Sequence, residues 1–337
     1  MTTGRSDEDD AAFAAHVRAL GRGPGRARHL TRAEAADAMA RILDGRAAPE
    51  AVGALLMLMR YRGESADEIA GFVDAMRARA RPWAGIGATL DWPSYAAGRS
   101  RGAPWFVLAA LLAARGGARV FMHGYNSHMS HPLHTRAALE ALGIAPARTP
   151  AEAAAALAAT GLAYAPLEAI DPELLRVLRL RKVLGLRSPA NTALKLFDPA
   201  GAGASVQGVF HPSYRALQQQ AAALLGARSM IAVKGGGGEA ERVPAKRVEL
   251  FRLEHGRAFE ETAPPLIEAP ARRHAEPEPS AARFLAVWRG EEDDPYAAAT
   301  VAGTAALALL SAGLAPDLEA AEARAWALWR ARMDEAA

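Results

Sequence analysis

In the first eighty residues the apolar positions recur at three- and four-residue spacing. Leu55, Leu58 and Met59 fall in step with Arg62, and Ile69, Phe72, Val73 and Met76 form a second set. Such stripes predict amphipathic helices. Their ends are marked as well. Thr31 with Glu34, and Ser65 with Glu68, have capping-box spacing, in which hydroxyl and carboxylate satisfy each other's orphan backbone donors. Pro49 suits a first helical position, and Gly45 and Gly63 suit C-terminal stops. Four helices joined by short connections predict a compact bundle.

Past Trp83 the pattern shifts to short β-like runs separated by apolar helices, which predicts an α/β arrangement. The spacing predicts strands at Ala118–Met122, Leu162–Ala165, Val206–Phe210 and Met230–Val233. Helices are predicted at Trp105–Ala114, Leu133–Leu142, Pro172–Leu180 and Pro212–Leu225, and the Ala-rich Ala151–Ala159 is read as a further one. Val248–Leu253 and Ala258–Thr262 flank His255-Gly256 as a hairpin. A Pro- and charge-rich loop, Pro264–Pro279, and two closing helices complete the reading. The expected fold class is α/β: a small N-terminal helical bundle over residues 1–82, joined in space by helices near 166–183, and a larger α/β domain over 83–337 with a mostly parallel central sheet.

Composition narrows the function classes. The 337 residues are 51% hydrophobic and 23% charged, enough to bury a core and too apolar for general disorder. The absence of cysteine excludes disulfides, thiolate zinc sites and cysteine nucleophiles. The acidic start, MTTGRSDEDD, is unlike a secretory signal, and no apolar run is both long and leucine-rich enough to span a bilayer. A cytoplasmic protein without a membrane segment is expected.

The net charge of +3 says little, but its distribution is uneven. Arginines crowd two stretches: Arg99, Arg101, Arg115, Arg119, Arg136 and Arg148 in the first, and Arg176 through Arg247 in the second. Read along the chain, this is the footprint of a polyanion-binding surface. Trp92, Tyr95 and Tyr125 stand near basic residues as either base-stacking platforms or core. Gly235–Gly238 reads as a phosphate nest or a plain turn. His123, His128, His131 and His134 cluster without an acid among them, and Pro132 breaks the register. No metal site is expected there.

Three segments carry a family resemblance: MHGYNSHMSHPLHTRAALEALG at Met122–Gly143, LGLRSPANTALKLFDP at Leu184–Pro199 and VQGVFHPSY at Val206–Tyr214. In this order the chain resembles the anthranilate phosphoribosyltransferases of glycosyltransferase family 3, which implies a nucleoside phosphorylase/phosphoribosyltransferase-like fold and a homodimer formed through the N-terminal helices. The resemblance also marks departures. The family's Gly-Thr-Gly-Gly-Asp pyrophosphate loop becomes the bulky stretch Asp91–Gly102, its lysine before His123 becomes Met122, and its Gly-Pro becomes Leu194-Lys195. Of its acidic magnesium pair, Glu241 remains and Ala240 stands in the other place.

These departures resemble a YbiB-like, nucleic-acid-binding branch. The main expectation is therefore a non-enzymatic protein without cofactor that binds DNA or RNA, single- or double-stranded, in a basic groove. Arg99, Arg101, Arg181, Lys182, Arg187, Lys195, Lys234, Lys246 and Arg247 would contact phosphates. The alternative is a phosphoribosyltransferase with an acceptor other than anthranilate, using Mg2+ with phosphoribosyl pyrophosphate. His123, Gly124, Asn126 and Ser127 would then hold the sugar phosphate beside Arg187. A scaffold with neither activity is the third reading.

Overall fold

The computed structural model describes residues 5–96, 102–125, 133–269 and 279–333. The chain opens with α1 (Asp7–Gly21), α2 (Arg32–Leu43), α3 (Pro49–Arg62) and α4 (Ala66–Arg79). Both predicted capping boxes form: Thr31 and Ser65 accept from the N–H of Glu34 and Glu68. Glu68 is fully buried and also accepts from Leu30 N at 2.9 Å, so one cap fixes the neighbouring loop too. Pro49 opens α3, and Gly63 ends it with φ 80°.

The α/β part follows with β1 (Leu90–Ser94), α5 (Trp105–Arg115), β2 (Val120–Gly124), α6 (Thr135–Ala141), α7 (Pro150–Thr160) and β3 (Leu162–Pro166). The chain then runs back to the bundle through α8 (Leu167–Ile170), α9 (Pro172–Arg179), α10 (Arg181–Leu184) and α11 (Pro189–Ala193). It returns as β4 (Ala204–Val209), α12 (Tyr214–Leu224), β5 (Ser229–Lys234) and the hairpin β6 (Val248–Glu254) with β7 (Arg257–Ala263). Three helices close it, not two: α13 (Ala281–Arg289), α14 (Pro295–Ser311) and α15 (Leu318–Ala331).

The seven strands lie in the order β3-β2-β1-β4-β5-β6-β7, parallel through β5 and antiparallel beyond. Side chains alternate between two cores, as a period of two requires. Phe121, Met230 and Ala232 face the cluster shared with the helical bundle, while Val120, Met122, Ile231 and Val233 face α5, α14 and α15. The bundle side also contains Leu174, Val177, Leu194 and Phe197. Arg176 Nη2 donates to Ile42 O at 2.7 Å, and Arg77 Nε to Phe197 O at 2.7 Å. The returning segment is thereby tied to α2 and α4. Among the described residues no helix is long and apolar enough to cross a membrane.

The apolar stripes of α3 and α4 are the bundle's own core. Leu55, Met59, Phe72 and Met76 have no exposed surface, which leaves them unavailable to a second copy of the chain. Tyr61 and Val183, at 91% and 83% exposure, are the bundle's most exposed large apolar residues among those described.

Candidate functional site

Strand order reverses direction between β1 and β4, and in open α/β sheets the crevice at the carboxyl ends of such neighbours is where ligands bind. Among the described residues a cavity of about 370 Å3 opens past the carboxyl end of β4, on the side of the returning helices, lined by Arg60 of α3, Arg181 of α10, Arg187, Lys195, and Phe210 and Tyr214 after β4. Local sequence explains the placement. Gly185, at φ 71°, stops α10, and Ser188 with Asn191 caps α11. Arg187 sits in the tight link between the two.

Lys195 is 8% exposed, and its Nζ donates to Gly208 O and, at 2.7 Å, to Gly238 O. Burial pushes its amine down to about 8, with Arg187 pushing the same way and Glu239 opposing. The Arg187 guanidinium is also held below its ordinary value, first by burial and then by Arg181. It makes no hydrogen bond or ion pair among the described residues. At the mouth, Arg60 donates to the Tyr214 hydroxyl, which donates to Glu64 Oε2 at 3.1 Å. That chain links the end of α3 to α12 across the cavity.

The end of β1 is organised differently. Tyr95 Oη lies 2.6 Å from His123 Nδ1, and His123 Nε2 lies 2.9 Å from Asp91 Oδ1. All three side chains are buried. A carboxylate can only accept, so Nε2 carries the proton toward Asp91 and Nδ1 accepts from the tyrosine. Burial raises Asp91 to about 6, and Tyr95 well above its ordinary value. Next to this network Glu239, 2% exposed, accepts from Ser94 Oγ at 3.1 Å and from Ala96 N at 3.0 Å. Glu241 Oε2 accepts from Phe106 N at 3.2 Å, in the first turn of α5. Both carboxylates thus hold backbone donors that an incoming phosphate would need.

The peptide of Glu239 presses against β4. A Cβ on Gly208 would meet Glu239 C at 1.9 Å, and one on Gly235 would meet Glu239 O at 1.6 Å. Gly208→Ala should therefore lose about 1–3 kcal/mol of stability through overpacking, measured by urea denaturation. A wild-type midpoint would show that the turn yields freely.

The structure re-sorts the candidates drawn from the sequence. Arg181, Arg187 and Lys195 meet in the cavity. Lys182 is exposed on α10, Lys234 is exposed at the end of β5, and Lys246 and Arg247 are exposed just before β6. None of these four lines the cavity. Arg99, Arg101, Asn126 and Ser127, with His128 and His131, lie outside the described residues. His123 is no ligand for a sugar phosphate, because it is fully buried with both ring nitrogens engaged. Gly124 lies where a Cβ would meet Ser94 O at 2.1 Å, so close strand packing accounts for it.

Trp92, Tyr95 and Tyr125 are buried and cannot be stacking platforms. Gly236–Gly238 is a 3-10 turn whose Gly238 N donates to Gly235 O at 3.2 Å, not an anion nest. The charge footprint also shrinks. Arg136 pairs with Glu168, Arg176 with Glu173, Arg215 with Glu249 and Arg242 with Glu322. Glu239, Arg60 and Tyr214 were not among the sequence candidates. The acidic residues closing the Gly-rich turn signalled Glu239, whereas nothing local signals Arg60.

A magnesium ion held by the protein's side chains alone does not fit this arrangement. Among the described residues no group of three acidic or histidine side chains could hold a metal. Glu239 and Glu241 already accept from the donors just named.

Comparison with known proteins agrees with this geometry. Residues 15–80 match the helical bundle domain of a glycosyl transferase family, and residues 106–331 match its a/b domain. The anthranilate phosphoribosyltransferase of Thermus thermophilus is 32% identical over 291 residues, 86% of this chain and 88% of that protein. That of Methylocella silvestris is 33% identical over 301 residues, covering 86% and 84%. The crystal structure of the Thermus thermophilus anthranilate phosphoribosyltransferase superposes with a TM-score of 0.79 at 27% identity, covering 96% of both chains. The Saccharomyces cerevisiae enzyme in complex with PRPP and Mg superposes at 0.75 with 16% identity, covering 97% and 95%.

These findings overturn the expectation of a nucleic-acid-binding protein: the relatives are transferases by name, and several arginines counted toward a basic groove are paired with carboxylates. They do not single out the YbiB-like branch. The chain belongs to the anthranilate phosphoribosyltransferase-like proteins of glycosyltransferase family 3.

Proposed function

We propose that the protein is a phosphoribosyltransferase acting on an acceptor other than anthranilate. The observation that carries this reading is the cavity past the end of β4, where Leu194-Lys195 stands in place of the family's Gly-Pro and Lys195 adds a cation to Arg187. In the reaction the acceptor's nucleophile forms a bond to the ribosyl C1 while the bond from C1 to the diphosphate breaks, and the acceptor's proton leaves to solvent. The chain's part is to bind and orient the acceptor against Arg187, Lys195 and Phe210. Magnesium enters as the counter-ion of the donor's diphosphate, a common arrangement for this cation.

Pyrophosphate release should be followed with phosphoribosyl pyrophosphate, magnesium and a panel of aromatic amines and acids. Release that depends on an acceptor other than anthranilate is the expected result. A folded protein releasing none with any member would refute the assignment.

We also propose a homodimer through the helical part, with Tyr61 and Val183 in the contact. Sedimentation should show a dimer at micromolar concentration and a monomer for the paired Tyr61→Glu and Val183→Glu variant. Because both side chains are exposed, the melting temperature should stay put. A wild-type monomer would end the proposal.

A further inference from the structure

Six N–H groups point to what the cavity takes. An ammonium has three donors, and Lys195 uses two on Gly208 O and Gly238 O. A guanidinium has five, and Arg187 uses none among the described residues. Among the described residues no carboxylate lines this space. Among the described residues the charges nearby are Arg60, Arg181, Arg187 and Lys195, against Glu239 beside the lysine and Glu64 behind Tyr214. Among the described residues, four cations against two carboxylates leave at least two positive charges in excess. A single carboxylate would leave one of them in a half-enclosed space, where an uncompensated charge is costly. Leu186 and Phe210, 56% and 45% exposed, also line the cavity and offer an apolar surface next to the cations.

We propose that the cavity binds an acceptor with a dianionic head, a phosphate monoester or a dicarboxylate, carried on an apolar body. Arg187 and the third Lys195 N–H meet the head, and Leu186 and Phe210 cover the body. This rests on the transferase reading for the word acceptor, but the binding itself can be tested apart from turnover.

The probes are phenyl phosphate, phthalate and benzoate, titrated calorimetrically at pH 7. Both dianions should bind at least about tenfold more tightly than benzoate, because each adds a charge-assisted contact. Whether phosphate or dicarboxylate is the natural head follows from which of the two binds better. Arg187→Met should weaken the dianions roughly ten- to hundredfold and benzoate less. Arg187 makes no bond within the described fold, so the variant should melt as wild type does. Should it fail to fold, Arg181→Met should weaken the dianions in the same order; Arg181 also makes no side-chain hydrogen bond or ion pair among the described residues.

Equal or tighter binding of benzoate would overturn the proposal. So would competitive displacement of phenyl phosphate by phosphoribosyl pyrophosphate, which would assign the cations to the donor. Phenyl phosphate binding without pyrophosphate release from any acceptor would sink the transferase reading and leave this one standing. Release with monocarboxylates alone would do the reverse.

Discussion

Given anthranilate, phosphoribosyl pyrophosphate and magnesium, the protein should form phosphoribosyl anthranilate roughly a thousandfold or more slowly than its Thermus thermophilus relative. Preorganised donors aimed at the leaving group are a large part of such catalysis, and the loss of one commonly costs about 10²–10³ in rate. Here Ala96 N and Phe106 N donate to Glu239 and Glu241. A diphosphate would first have to dislodge buried carboxylates from satisfied hydrogen bonds. The handicap applies to every acceptor, so slow turnover is expected with the true one as well. The cationic cavity discriminates further against a monocarboxylate. The measurement is product fluorescence under saturating substrates, and turnover within about tenfold of the relative would contradict the argument.

The second large effect is alkaline and concerns Lys195. Its amine titrates near 8 in the fold, against 10.5 for an ordinary lysine. Between those values the unfolded chain binds more protons than the folded one, so stability rises with pH. The full step is on the order of 3 kcal/mol. It is complete above the unfolded value and lost as pH falls through 8. Glu239 and Arg187 face the amine, and Arg60, Arg181, His211 and Tyr214 line the rest of the cavity. A comparison with Lys195→Met isolates this one group from them. Urea midpoints should climb between about pH 8 and 10 in wild type relative to the variant. Saturating phenyl phosphate should flatten the climb, since a bound anion restores the lysine's affinity for its proton. Parallel curves for the two proteins would remove Lys195 from the cavity's electrostatics.

The helical bundle was legible in the sequence because caps and stripes are local signals. Thr31, Ser65, Pro49 and Gly63 each act within one turn of the chain. Strands β2 to β5 were legible for the same reason, each a short apolar run between turn residues. Strand β1 was not. Asp91 and Pro93 read as loop, and a proline within a central strand is uncommon; only pairing with β2 along its length makes Leu90–Ser94 a strand. The third closing helix was missed where a single Gly-Glu-Glu-Asp-Asp break, Gly290–Asp294, divides α13 from α14.

The site was half legible. Arg187 was marked by keeping the family's type and Lys195 by departing from it, but Arg60 arrives from α3 and Glu239 from the Gly-rich turn, and no spacing rule connects them. Counting arginines along the chain misled for a physical reason. Partners such as Glu168, Glu249 and Glu322 come from other elements, so linear charge overstated surface charge.

The return of the chain to the helical part sets an order of manufacture. Arg77 waits for Phe197, 120 residues later, and Ile42 waits for Arg176, 134 residues later. At about 5–20 residues per second, translation leaves that interval open for on the order of ten seconds. Throughout it, α2 and α4 leave the ribosome with the surfaces meant for Leu174, Val177, Leu194 and Phe197 still uncovered. A nascent chain stalled inside β3 would carry a bare apolar face, the kind of surface that chaperones hold and proteases find.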